Sequence, residues 1–198
     1  MELVISKIGG TAMLLMVVSL VLVTVSLFLP WFVYSSTIHT SETDTETATF
    51  ATYREYLMVV NPDGSVSLLQ YGEVYYGFAE DLEYTMDLEA TLAVFWIVLG
   101  IGFVYSILRD DGALSIITGA LIVFICGFML FHFASVASSK APWFPYIDGH
   151  EGFWGEGVSL YDSSEWEWGP GLGWFLVLAG GILGAVGSGL RVLLDGRE

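Results

Sequence analysis

The sequence predicts a membrane α+β fold: a four-transmembrane-helix bundle with a small antiparallel β-sheet extracellular domain. Three observations predict it. Only 14% of the 198 residues are charged while 55% are apolar, against about 25% charged in an ordinary soluble domain. Four long apolar runs divide the chain. The two segments between them on one side, Phe32–Asp87 and Val136–Pro170, hold sixteen of the 22 acidic residues and only two basic ones, Arg54 and Lys140.

A bilayer core of ~30 Å takes roughly 20 apolar residues as a helix. Ile8–Leu29, Ala90–Leu108, Ala113–Phe131 and Gly171–Leu190 all meet that length without a charged side chain. With their flanks they place TM1 at 8–31, TM2 at 88–108, TM3 at 113–135 and TM4 at 171–194. The first run competes with a signal peptide, whose apolar region is ~7–15 residues before small residues. This run is longer and ends Leu29-Pro30-Trp31, which favours a span.

Orientation follows from Lys and Arg beside the span ends. Lys7, Arg109, Arg191 and Arg197 share one side and Lys140 stands alone on the other. The prediction is a cell-membrane protein with segments 1–7 and 195–198 cytoplasmic. The 109–112 turn is cytoplasmic too and makes spans two and three antiparallel neighbours. Segments 32–87 and 136–170 then lie outside.

Lipid gives helices no hydrophobic reason to associate, so small residues that permit close approach take over. In the fourth span Gly180 and Gly184 form one row, Gly181, Ala185 and Gly189 a second, and Gly187 adds to them. Two small faces imply packing on two sides, within the chain or at a subunit contact. Ionisable residues inside spans mark proton or ion paths, and here Glu89, Arg191 and His132 sit only near span ends. His132 reads as an interfacial histidine.

The first outer segment alternates Thr43, Thr45, Thr47 and Thr49 with Glu42, Asp44, Glu46 and Ala48, a period-two pattern of an edge strand. Tyr56–Val60 and Ser65–Tyr71 flank Asn61-Pro62-Asp63-Gly64, a hairpin pattern. Glu73–Phe78 adds a further candidate strand. The second outer segment is rich in Gly and aromatics. Trp143, Trp154, Trp166 and Trp168 suit a belt at the bilayer interface or a partner surface.

Asp148, His150 and Glu151 could ligate a divalent ion with help from His39 or His132, but their spacing matches no established metal motif. No cofactor is expected beyond loose divalent cation binding. The net charge of −16 excludes nucleic acid, which requires a basic patch. Few lysines on an acidic exterior suit a salt-rich setting, where screening weakens self-repulsion. The single cysteine, Cys126, permits no internal disulfide.

Four spans, a long β-rich first outer segment, a shorter second one and the Leu29-Pro30-Trp31 ending of span one resemble the claudin and peripheral-myelin-protein superfamily. The resemblance implies Trp31 as an anchor between sheet and membrane. The superfamily's Gly-Leu-Trp stretch and paired outer-loop cysteines are absent from this chain.

The expected function is non-enzymatic. The chain would be a structural, assembly or accessory subunit in a homo-oligomer or larger membrane complex, its partners being the lipid bilayer and other copies, subunits or the cell envelope. The alternative is an oligomeric cation-selective pore with Glu80, Asp81, Glu83 and Asp87 at its mouth. A metal-dependent membrane enzyme is the weakest reading, because the outer carboxylates have no matched nucleophile.

Overall fold

The computed structural model describes residues 2–39, 43–51, 56–60, 63–70, 79–109, 111–140, 147–149, 152–159 and 165–195. Four long helices carry most of the chain: α1 (Glu2–Ser26), α2 (Ala79–Leu108), α3 (Gly112–Lys140) and α4 (Leu172–Asp195). Each contains a stretch long and apolar enough to cross a membrane, by length and composition. The strands fall in two groups. Between α1 and α2 lie β1 (Pro30–His39), β2 (Thr43–Ala51), β3 (Tyr56–Val60) and β4 (Val66–Gln70). Between α3 and α4 lie β5 (Ile147–Gly149), β6 (Gly155–Ser159) and β7 (Glu165–Pro170).

The helix bounds depart from the sequence expectations for stated reasons. α1 stops at Ser26 rather than 31, since Pro30 cannot donate to a helix and disfavours helical backbone at the residue before it. α2 starts at Ala79, not 88. Glu80, Asp81 and Glu83 occupy its first turns, where negative charge is favourable at the positive end of the helix dipole. Those acids lie on a helix rather than in a loop. α3 continues to Lys140, past 135.

Contacts divide the chain into two compact units. The first comprises Met1–Ser26, Thr91–Leu130 and Leu176–Glu198. Its core is built on close approaches that small residues allow. A side chain at Gly100 would run into Leu20, and one at Gly181 into Cys126 with Trp96 behind it at 3.7 Å. Gly184 packs on Ser19 and Ile122, and Gly187 on the Ala12 carbonyl. The Ser19 hydroxyl donates to the Gly180 carbonyl at 2.7 Å, a buried bond between α1 and α4. At the α2–α3 turn, Asp111 Oδ1 accepts from the Leu114 amide, and the Ser106 and Ser115 hydroxyls bond each other at 2.7 Å. Met16, Trp96, Phe103 and Ile122 are fully buried. Large apolar residues nonetheless stay exposed on all four helices, among them Leu14, Val98, Phe124 and Ile182. Outward faces of that kind suit a hydrocarbon surrounding rather than water.

The second unit comprises Leu27–Ala90 and Phe131–Phe175. All seven strands form one antiparallel sheet in the order β4-β3-β2-β1-β7-β6-β5. The expected hairpin is present, with Tyr56 opposite Gln70 and Val60 opposite Val66. Its turn uses Gly64 at φ +79°, a left-handed conformation that glycine adopts without strain. The Thr-rich segment is a strand but not an edge: β2 pairs with β1 on one side and β3 on the other. The candidate strand Glu73–Phe78 lies outside the described residues.

The aromatic segment 136–170 also contributes to the sheet. Its strand β7 joins β1, with Phe32 opposite Pro170 and Thr37 opposite Glu165, so segments 32–87 and 136–170 build a single sheet. The join is reinforced where the Gly171 amide donates to the Trp31 carbonyl at 2.8 Å. Gly173 approaches the Trp31 ring so closely that a Cβ there would lie 2.5 Å from it.

Candidate functional site

Aromatic side chains of the second unit form one connected cluster. Trp31 packs edge-on against Phe133 at 5.4 Å. Phe153 meets Phe133 at 5.8 Å and Trp174 at 5.2 Å. Trp154 lies beside Trp174 at 6.1 Å. Edge-to-face pairs of this kind add about 0.5–1.5 kcal/mol each beyond area burial. Trp31 is fully buried. It is therefore an internal packing residue, and it offers no surface to lipid or a partner as the anchor reading expected.

The predicted interface residues diverge in the same way. Trp154 is 58% exposed, while Trp166 and Trp168 are half-buried on β7. The Trp168 indole donates to the Gly152 carbonyl at 3.1 Å, which fixes its ring. Trp143 lies outside the described residues. Trp154 and Trp168, with Gly155, Glu156 and Glu167, line an open groove of about 510 Å³. The register puts Glu156 directly opposite Glu167, so the two side chains share a face of the sheet. Like charges in that relation repel. Neither carboxylate has a basic partner among the described residues. An open groove lined by two indoles and two carboxylates has the chemistry to attract a cation.

Of the proposed metal ligands, Asp148 lies on β5 opposite Val158, and His150 and Glu151 lie outside the described residues. Among the described residues no three His, Cys, Asp or Glu side chains gather closely enough to hold a metal ion. The fourth-span glycines are separated by function. Gly180, Gly184 and Gly187 face α1 within the same chain, Gly181 faces Cys126, and Ala185 is half-buried. Gly189 has open space where its side chain would be.

A second arrangement escaped sequence reasoning. Glu89 of α2 is fully buried, and its Oε1 lies 3.1 Å from His132 Nδ1 of α3. The imidazole keeps 29% of its surface exposed. The other carboxyl oxygen, Oε2, is buried with no hydrogen-bond partner among the described residues. His132 is thus not a solitary interfacial histidine. A discoverable clue was present: Glu89 and His132 stand nearly equally far from the 109–112 turn, and antiparallel neighbours meet at such positions.

No protein-family model matches the chain, and no curated protein matches it.

Proposed function

We propose that the protein is a multi-pass membrane assembly or accessory subunit whose acidic sheet, on the outer side of a cell membrane, docks a basic surface of another subunit. The charge bias of Lys7, Arg109, Arg191 and Arg197 supports an orientation with both termini and the α2–α3 turn cytoplasmic. The observation that carries the proposal is the groove of Trp154 and Trp168 around the opposed Glu156 and Glu167. Exposed tryptophan is typical of contact surfaces, and an uncompensated carboxylate pair favours a Lys or Arg from a partner. Because α1 already covers Gly180, Gly184 and Gly187, the sheet is a better candidate for association than the glycine row of α4.

The test is carboxyl-to-amine crosslinking of the native protein in its own membranes, followed by mass spectrometry. Crosslinks from Glu156 or Glu167 to a lysine of a second chain, lost in Trp154→Ala with Glu167→Gln, are the expected result. A protein that extracts as a monomer and gives no such crosslink defeats the proposal.

A cation-conducting oligomer is the second reading, favoured by the cluster of Glu80, Asp81 and Glu83 in the first turns of α2. Bilayer conductance that is reduced when those three are changed to Gln would support it over simple assembly.

A further inference from the structure

The Glu89 oxygen Oε2, buried without a partner among the described residues, needs an explanation, because buried polar atoms without partners are rare and costly. A lone ionised carboxylate in a low-dielectric interior is more costly still, and such groups normally persist only when paired or neutralised. Two occupants fit a carboxylate and an imidazole 3.1 Å apart: a metal ion between them or a proton. A divalent ion takes four or more ligands. Glu89 and His132 supply two, and no third His, Cys, Asp or Glu joins them among the described residues. The metal would retain water and positive charge inside a site where Glu89 has no exposed surface. One proton leaves the pair neutral overall and needs no further ligand.

We propose that Glu89 and His132 form a proton-binding site, loaded and emptied through the exposed edge of the His132 ring. Loading is balanced at each atom. A proton from outside binds His132 Nε2, the proton on Nδ1 passes to Glu89 Oε1, and the imidazole returns to neutrality as the opposite tautomer. Emptying is the reverse. The carboxyl gains one proton, the ring none, and the bound carboxyl group leaves Oε2 as a carbonyl-like oxygen rather than half of an anion, a far cheaper atom to bury unpaired.

On α2 the nearest titratable groups are Tyr84 and Asp87, both on exposed positions, and on α3 the nearest is Cys126. Within the apolar stretches Gly9–Ser26 of α1 and Leu172–Leu190 of α4 the sequence holds no Asp, Glu, His, Lys or Arg. β1 carries Tyr34 and His39, and β7 carries Glu165 and Glu167 at exposed positions. Among the described residues His132 is the one cationic side chain paired with Glu89, and it meets only Oε1.

The site does not depend on the assembly reading, and its test uses different residues. The chain has three histidines, so nitrogen NMR of the labelled full-length protein in detergent can assign His132 by its loss in His132→Gln. Spectra should be taken from about two pH units below the ordinary carboxylate value to about two above the ordinary imidazole value. The expected result is a change of His132 tautomer that coincides with a titrating carboxyl band in infrared difference spectra. That band should vanish in Glu89→Gln and shift its midpoint by at least one pH unit, a tenfold change in proton affinity, in His132→Gln. A His132 ring that keeps one tautomer throughout, or a carboxyl band that survives in Glu89→Gln, overturns the proposal. Should His132→Gln fail to fold, His39→Gln and His150→Gln assign the His132 signals of the wild-type protein by elimination.

Discussion

Glu89 lies seventeen residues before Ser106, and His132 lies seventeen after Ser115, so the carboxylate–imidazole contact and the Ser106–Ser115 hydroxyl contact are equidistant steps from one turn. At 1.5 Å per residue that is about 25 Å of each helix. The polar contacts of this hairpin are thus placed by register, and each depends on both partners.

Removing one partner of the buried pair should be worse than removing both. His132→Leu leaves the buried Glu89 carboxyl without the one partner it has among the described residues and should cost about 3 kcal/mol, the lower end for broken buried pairs because the ring is partly exposed. Glu89→Leu combined with His132→Leu should melt at or above the wild-type temperature. Thermal unfolding in detergent compares the three proteins, and a double variant less stable than the single one contradicts the prediction.

The glycines of α4 should respond unequally. Gly181→Ala drives a methyl group into Cys126 and should cost about 1–3 kcal/mol, as overpacked cores do. Gly189→Ala meets open space and should stay within about 0.5 kcal/mol of wild type. Equal melting temperatures for the two would count against the packing described.

Ser19→Ala removes the bond to the Gly180 carbonyl while leaving a residue small enough for the α1–α4 approach. Bonds between membrane helices average about 0.6 kcal/mol, so a loss of that size is expected in a reversible unfolding assay. A loss several times larger would mean that the hydroxyl supports more than this single bond.

Neutralising one member of the opposed pair on the sheet should help the isolated protein. Glu156→Gln or Glu167→Gln relieves cross-strand repulsion worth a few tenths of a kcal/mol, on the order of 0.2–1. The gain should fade as salt rises, because exposed charges are screened. Melting curves at low and high salt will show whether it does.

The Asp63 turn adds an acid-sensitive contribution. Hydrogen bonds from Ser65, including its amide at 2.8 Å, hold the Asp63 carboxyl below its ordinary value. A carboxyl lowered by folding stabilises the fold above its unfolded value, and that contribution is lost as pH falls through the folded one. Asp63→Ala should therefore weaken the hairpin at neutral pH and make no difference in strong acid. Amide exchange at Ser65 across pH provides the measurement.

The sequence disclosed what local pattern encodes. Apolar length revealed four helices, and Asp63-Gly64 between β-rich runs revealed the β3–β4 hairpin. The alternation Glu165-Trp166-Glu167-Trp168 also encodes a strand, but the aromatic content of its segment drew attention to the bilayer interface instead. The partnership of β7 with β1 has no local signature, since residues far apart in the chain supply it. Likewise Gly180 and Gly184 advertise a close approach without naming Ser19 as what approaches. The Glu89–His132 pair was hidden because each residue alone looks like an ordinary polar span end.

The central position of β1 has a consequence for biosynthesis. Its Phe32–Thr37 edge is completed by Glu165–Pro170, which leave the ribosome about 130 residues later. At roughly 5–20 residues per second, that edge waits on the order of ten seconds while two apolar helices are made. An open strand edge is a template for wrong pairing. A chain halted before Glu165 would carry β1 with one edge unpaired, and a factor that shields that edge during the delay is expected to raise the yield of correctly folded protein.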